Sequence, residues 1–155
     1  MAAKSWNDKL HVNNDLPKTV TLDPKEAKRL GGQTMVVPHP LDVDAIMRTV
    51  PKGKVITTAQ IRQRLARKYQ TDTACPLTTG IFAKIAAHAS VENGDDLPWW
   101  RTLKTGGELN PKFPGAPHEQ IALLEHEGHT IATRGHKHLR YFVEGYDNSL
   151  SQSEP

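Results

Sequence analysis

The chain has 155 residues, of which 37% are hydrophobic, and 20 Lys and Arg face 17 Asp and Glu for a formal net charge of +3. This length suits one domain with one modest core. No apolar run approaches the roughly 18 residues of a membrane-spanning helix, and a single cysteine excludes an internal disulfide. The start, MAAKSWNDKL, lacks the apolar stretch of a secretory signal. We therefore expect a cytoplasmic protein with no membrane partner, whose charge permits an anionic one.

The first 40 residues carry few signals of regular structure. Residues 1–20 are polar and without periodicity, so we expect them to be loosely ordered. The segment VTLDPKEAKRLGG predicts a short helix that Gly31 ends, and TMVVP predicts a strand. These features suggest a partly disordered extension at 1–40, a main domain at 41–147 and a disordered tail at 148–155.

Helical patterns dominate the main domain. The spacing of apolar residues in LDVDAIMRTVP predicts a helix that Pro51 stops. The segment KVITTAQIRQRLARKY predicts a second helix, capped by Thr57 or Thr58. A third helix is predicted over LTTGIFAKIAAHA, with Thr78 or Thr79 as its cap, before an acidic turn at SVENGDDLP.

The chain closes with a helix and a hairpin. The segment PHEQIALLEHEG predicts a helix that starts near Pro117 and ends at Gly128. The segment HTIATRGHKHLRYFVEGY predicts two strands around a turn at Arg134 and Gly135. Helices followed by a hairpin predict an α/β, mainly α, fold: a winged helix-turn-helix domain with a C-terminal β-hairpin wing and an N-terminal extension.

Two basic segments favour a nucleic-acid partner. Residues 52–68 hold six positive side chains and no acid, and residues 134–140 give the hairpin a second basic edge. Wings commonly contact phosphates beside a recognition helix. A solvated helix face explains the first segment equally well. The residues expected to contact DNA are Lys52, Lys54, Thr57, Thr58, Arg62, Leu77, Thr78, Thr79 and Lys84.

Histidines and the lone cysteine do not predict a catalytic or metal centre. His126 and His129 are three residues apart, but Gly128 ends the helix between them and no cysteine is near. We therefore expect no metal site and no cofactor. Cys75 precedes a predicted helix, where a thiol can serve as a nucleophile. A small buried apolar residue is the other reading of this cysteine.

Four segments, in order, resemble the DNA-binding domain of the alkylguanine–DNA alkyltransferases, the methylated-DNA–protein-cysteine methyltransferase family. VPKGKVITTAQI is similar to the segment that opens that domain, and TTGIFAKIAAHA is similar to its recognition helix. LPWWRTL stands where the family has P-C-H-R-V, and LLEHEGHTI resembles its closing L-L-x-x-E-G motif. The resemblance runs from about Asp42 to Tyr146 and implies a domain that binds double-stranded DNA.

The active-site motif of the family is altered in this chain. Its acceptor cysteine falls on Trp99 and its proton-relaying histidine on Trp100, while Glu127 matches the acid that orients this histidine. The alkyltransferase-like subset of the family shows the same cysteine-to-tryptophan exchange. This resemblance implies binding of alkylated guanine without repair, and recruitment of a DNA-repair protein. We expect no transferase activity, no catalytic residue, and a monomer.

The same alignment indicates where a damaged base would bind. The family's tyrosine, which helps to rotate the flipped nucleotide, aligns with Thr58, and its intercalating arginine aligns near Leu77. An aliphatic side chain such as Leu77 can enter a base step. The expected lesion pocket consists of Pro98, Trp99, Trp100 and Arg101.

The tryptophan pair has two readings that the sequence leaves open. One indole can line a pocket and stack on an everted base, or both can fill the space and close it. A closed pocket without DNA affinity would make the chain a protein-interaction module, which is the alternative function.

Overall fold

The computed structural model describes residues 4–152. Its helices are α1 (Trp6–Leu10), α2 (Pro24–Leu30), α3 (Pro40–Met47), α4 (Thr58–Lys68), α5 (Pro76–Asn93) and α6 (His118–His126). Its strands are β1 (Lys18–Thr21), β2 (Thr34–Val37), β3 (Ile56–Thr57), β4 (Thr73–Ala74), β5 (Thr102–Leu103), β6 (Ile131–Arg134) and β7 (Arg140–Val143). Short 3₁₀ turns span Trp99–Arg101 and Tyr146–Asn148. The fold is α/β and mainly α, as the sequence predicts.

Helix α4 begins where its sequence predicts. Thr57 and Gln60 form a capping box, in which the Thr57 hydroxyl accepts from the Gln60 N–H at 3.3 Å and the Gln60 side chain accepts from the Thr57 N–H at 3.0 Å. The apolar face of α4, which holds Ile61 and Leu65, is fully buried. The cap fixes where α4 starts, and burial of this face holds it against the core.

Helix α5 differs from its prediction at both ends. It begins at Pro76, after Cys75, rather than at a threonine cap. The proline ring presets the backbone for a first helical turn, so the helix starts earlier. It also continues through Asn93, into the segment predicted as a turn, and ends where Gly94 adopts the left-handed conformation.

Three small sheets complete the architecture. Strand β2 pairs antiparallel with β1 and parallel with β4. Strands β3 and β5 form a parallel pair that ties the start of α4 to the Trp99–Arg101 turn. Strands β6 and β7 form the predicted hairpin, with Ile131 opposite Val143.

The core divides into two clusters. The larger lies between α3, α4 and α5, and the smaller lies beneath the hairpin. Representative buried members of the larger cluster are Val43, Met47, Ile61, Leu65, Ala86 and Trp99. The smaller cluster comprises Val55, Leu103, Leu109, Leu124 and Val143. No helix within residues 4–152 has both the length and the apolar character needed to cross a bilayer.

Segments near both ends of the chain hold more structure than their sequences predict. Helix α1 packs against α5, and the Glu92 carboxylate accepts from the Trp6 N–H at 3.2 Å. Near the other end, the Ser151 N–H donates to the Val55 carbonyl at 2.7 Å. Long-range contacts of this kind leave no local sequence signal. Residues 1–3 and 153–155 lie outside the described residues, and the domain boundaries remain predictions.

Candidate nucleic-acid interface

Trp99 is buried in the protein interior, and Trp100 is partly buried beside it. Trp99 is 5% exposed. Its ring meets Trp100 edge-on at 5.9 Å between centroids and Phe113 edge-on at 6.0 Å. Edge-to-face packing of this kind stabilises a dry aromatic cluster. Of the two readings left open by the sequence, the structure supports the closed one for Trp99.

Arg101 forms an internal ion pair with Glu127. Its Nε donates to both Glu127 carboxylate oxygens, at 2.9 and 3.1 Å, and its Nη1 donates to the Val50 carbonyl at 2.8 Å. The Arg101 and Glu127 side chains are 13% and 5% exposed. A guanidinium held this way is not available to a phosphate. The expected lesion pocket at 98–101 is therefore corrected: Trp99 and Arg101 belong to the interior.

The Arg101–Glu127 pair also sets the charge state of Glu127. Burial raises the pKa of this carboxyl, but the hydrogen bonds and charge of Arg101 outweigh burial and hold the pKa below its ordinary value. The indole N–H of Trp100 lies near the same carboxylate without a hydrogen bond of good geometry. The carboxylate is therefore ionised at neutral pH and serves to fix Arg101.

A cavity opens on the exposed side of α5, apart from the segment 98–101. Its volume is about 420 Å³, and it lies between the first two turns of α5 and the loop at 104–112. Its lining residues are Thr58, Pro76, Leu77, Gly80, Ile81, Lys84, Lys104, Thr105, Asn110, Pro111 and Lys112. Neither Trp99 nor Arg101 lines it. The cavity lies on the face of α5 that the sequence assigns to DNA.

Three residues predicted to contact DNA meet at this cavity. Thr58, Leu77 and Lys84 come from α4 and α5, and the loop supplies the opposite wall. The Thr58 hydroxyl lies 3.5 Å from the Thr105 hydroxyl. The sequence does not place Asn110 or Lys112 here. Their signal is the length of this irregular loop, because loops beyond about 12 residues are commonly functional.

The cavity walls combine positive charge with exposed apolar groups. The cations are Lys84, Lys104 and Lys112. Lys104 has a loose ion pair with Glu108 at 3.8 Å and its side chain remains 47% exposed. Leu77 is 70% exposed and Ile81 is 40% exposed. Such a surface suits a ligand with a charged backbone and flat apolar parts.

Two other predicted contacts, Thr57 and Thr79, are buried in the fold, and two more, Thr78 and Arg62, are partly buried. Thr57 is 5% exposed because it caps α4. Thr79 is fully buried, and its hydroxyl donates to the Cys75 carbonyl at 2.7 Å. Thr78 has a buried hydroxyl with no hydrogen-bond partner among residues 4–152. Arg62 donates to the Ala74 carbonyl at 2.9 Å and so braces the turn between α4 and α5. The prediction could not separate surface threonines from capping ones.

The remaining predicted cations lie on the surface. Lys52 and Lys54 are exposed in the turn before β3, so their role toward phosphates stays a prediction. In the hairpin, the guanidinium groups of Arg134 and Arg140 lie 4.3 and 5.2 Å from the ring centre of Phe142. Arg140 also donates to the Glu108 carboxylate at 2.8 Å. The hairpin is thereby tied to the loop that lines the cavity.

The lone cysteine lies outside the cavity. Cys75 precedes α5, and its N–H donates to the Val36 carbonyl at 2.9 Å. Within residues 4–152, no group of three or more His, Cys, Asp or Glu is arranged to hold a metal ion. The polar side chains that line the cavity carry hydroxyls, an amide and ammonium groups, all of which bind by hydrogen bonds and charge.

Comparison with known proteins points to one type of fold. No protein-family model and no curated protein sequence matches the chain. Among the solved structures that match it are two with 20% identity and a TM-score of 0.52, over 74% of this chain and 94% of the matched chain. One is S. pombe Atl1 in complex with damaged DNA containing O6-carboxymethylguanine, and the other is S. pombe ATL in complex with DNA. The chain therefore shares the fold of an alkyltransferase-like protein, as its sequence motifs predict.

Proposed function

We propose that this protein binds double-stranded DNA through the exposed face of α5 and receives an everted, alkylated guanine in the adjacent cavity, without reacting with it. The observation that carries this proposal is the 420 Å³ cavity beside the second helix of the helix-turn-helix, with three lysines in its walls. Two structural neighbours of 20% identity, both solved with DNA, support it.

The size and charge of the cavity suit a nucleotide. Small-molecule sites generally range from about 300 to 1,000 Å³, so 420 Å³ accommodates a purine. Ammonium groups near the mouth of such a cavity neutralise phosphates and release their condensed counterions. Leu77 and Ile81 project from the helix beside the cavity, where aliphatic side chains can hold a base step open.

Gly80 supports a ligand at this position. A glycine in the middle of a helix costs about 1 kcal/mol relative to alanine. A Cβ at Gly80 would meet nothing within 4 Å, so internal packing does not require its small size. Gly80 lines the cavity. A glycine there keeps space for an occupant that comes close to the helix backbone.

The proposal includes no chemical step. No thiol lines the cavity, and Trp99 is buried away from it. An alkyl group needs a nucleophile to accept it, and the facing lysines and threonines have no neighbouring base in the cavity lining to activate them. Intact mass measurement after incubation with DNA containing O6-alkylguanine should show no added alkyl group. A mass gain removed by Cys75→Ser would instead identify Cys75 as an acceptor.

Substitutions at Gly80 test occupancy of the cavity. Gly80→Leu should fill it and reduce the preference for alkylguanine-containing duplex over unmodified duplex, while binding to unmodified duplex persists. Gly80→Ala is the matched control, because it adds one methyl group and leaves most of the volume open. Fluorescence anisotropy with both duplexes measures the two affinities. Equal preference in the wild type and Gly80→Leu would contradict base insertion.

The burial of Trp99 favours a second candidate, the protein-interaction module with a closed former active site. Exposed Leu77 and Ile81 would then contact a protein rather than a base step. Absence of DNA binding by the wild type at low salt would support this candidate, since electrostatic binding is strongest there. A DNA-repair partner, a monomeric state and a cytoplasmic location remain predictions.

A further inference from the structure

One stripe of α5 joins the cavity to the N-terminal helix. Leu77, Ile81, Lys84 and His88 follow one another at intervals of three or four residues, which places them on one helix face. The first three line the cavity. His88, further along, stacks on the indole of Trp6, with 4.3 Å between ring centres and 17° between planes. Helix α1 thus lies directly beyond the cavity on the same face.

Two lysine ammonium groups lie close to the indole ring of Trp6. The Lys9 ammonium lies 4.4 Å from the ring centre, and the Lys84 ammonium lies 5.9 Å from it. Cations are attracted to an indole ring, so both ammonium groups lie within about 6 Å of the centre of the Trp6 ring. Together they create a local positive potential that favours phosphates. Lys84 belongs both to this cluster and to the cavity.

The nearby carboxylate of Glu92 bonds to backbone N–H groups rather than to an ammonium group of this cluster. Glu92 accepts from the backbone N–H groups of Trp6 and Asn7, at 3.2 and 3.0 Å, and therefore caps the start of α1. Among residues 4–152, the structure gives neither Lys9 nor Lys84 an ion-pair partner. Both lysines keep their charge available for a ligand.

A second contact connects the Trp6 cluster with the cavity loop. The ring nitrogen Nε2 of His88 bonds to the Lys112 carbonyl oxygen at 2.8 Å. Lys112 lines the cavity and is exposed. The Trp6 cluster and the cavity loop therefore meet at His88, and Lys84 and Lys112 both line the cavity beside it.

We propose that α1 is part of the nucleic-acid interface, and that two neighbouring backbone phosphates of the bound strand, next to the base in the cavity, bind Lys9 and Lys84, one to each lysine. Trp6 is a positioning residue here, since it holds both ammonium groups in place. This inference rests on the proposed DNA-binding function. It assigns a binding role to a segment that the sequence left without one.

Salt titration of DNA binding tests this role. Each phosphate contact contributes about 0.9 to the slope of log affinity against log salt. Lys9→Gln and Lys84→Gln should each lower that slope by about one, and the double variant by about two. Between 50 and 200 mM salt, the double variant should therefore lose about tenfold less affinity than the wild type does.

The control removes the same charge elsewhere. Lys28 is exposed in the last turn of α2. Lys28→Gln should therefore keep the wild-type slope of log affinity against log salt. Thermal unfolding of each variant verifies that the fold is intact. If the wild type binds DNA but Lys9→Gln shows the same salt slope as Lys28→Gln, α1 lies outside the interface and the inference fails. If the wild type binds no DNA at low salt, the proposed function itself fails, and the two failures are thereby distinguished.

Discussion

Arg101 grips the Glu127 carboxylate with its Nε and Nη2 nitrogens while its Nη1 donates to the Val50 carbonyl. One buried guanidinium therefore joins the Trp99–Arg101 turn to the end of α6 and to the loop after α3. The Arg101–Glu127 pair thereby holds the turn that carries Trp99. Arg101 belongs to the segment aligned with the family's active-site motif, but here it serves a structural role in the interior.

Glu127→Gln should lower the free energy of unfolding by about 3 kcal/mol at neutral pH, because it leaves a buried guanidinium without its counter-charge. Urea denaturation measures the loss. Glu119→Gln, an exposed acid at the start of α6, is the control and should change stability by less than about 0.5 kcal/mol. If Glu127→Gln lowers the free energy of unfolding by no more than Glu119→Gln does, the Arg101–Glu127 pair does not stabilise the fold.

The pH dependence of stability should change in the same variant. The pKa of Glu127 is lowered in the folded state, so the unfolded chain binds more protons as pH falls. Stability is fully present above the ordinary carboxyl pKa and is lost as pH falls through the folded-state pKa. Glu127→Gln should show a shallower loss on acidification than the wild type. Parallel profiles from thermal melts at several pH values would contradict the assignment.

Trp99→Ala should lower the free energy of unfolding by about 3–5 kcal/mol, because it empties a packed aromatic site. Trp99→Phe keeps a ring edge near Phe113 and should cost less. Since Trp99 does not line the cavity, folded Trp99→Phe should keep the wild-type preference for alkylguanine-containing duplex. If Trp99→Phe stays as stable as the wild type but loses this preference, Trp99 does contact the damaged base.

Two adjacent glycines in the cavity loop should respond differently to alanine. Gly106 and Gly107 both have positive φ, at +87° and +83°, so either substitution strains the backbone by about 1–3 kcal/mol. A Cβ at Gly107 would also overlap the Tyr146 ring, whereas one at Gly106 meets nothing within 4 Å. Gly107→Ala should therefore be the less stable variant in urea denaturation. Equal losses would mean that Tyr146 moves aside freely.

Ending the chain after Asn148 should destabilise the start of α4. Val55 loses its backbone bonds to Ser149 and Ser151, at 2.9 and 2.7 Å. The Gln60 side chain also loses the Ser151 carbonyl at 3.1 Å. The Arg64 guanidinium loses the carbonyls of Ser151 and Gln152, at 3.2 and 2.9 Å. These five hydrogen bonds, at about 1 kcal/mol each, predict a loss of about 5 kcal/mol. A chain ending after Gln152 keeps these contacts and is the control. Equal melting temperatures for the two chains would show that residues 149–152 do not hold α4.

Local signals determined much of the fold. A threonine cap at Thr57 or Thr58 predicted the start of α4, the glycines at 31 and 32 predicted the end of α2, and the strands at 131–134 and 140–143 follow from their pattern. Such signals act between residues a few positions apart, so they can be read without the rest of the molecule. The motif order also predicted the alkyltransferase-like fold that the structural comparison shows.

Only the tertiary structure decided which side chains are available to a ligand. Trp99 is buried because Phe113, 14 positions later, packs on its ring, and Lys9 joins the α5 surface because α1 docks there through Trp6. Arg62 and Thr79 satisfy backbone carbonyls that become buried once the turn forms. Burial and pairing depend on distant segments meeting in space. A run of residues alone therefore predicts the charge of this protein's surface but not which charges remain free.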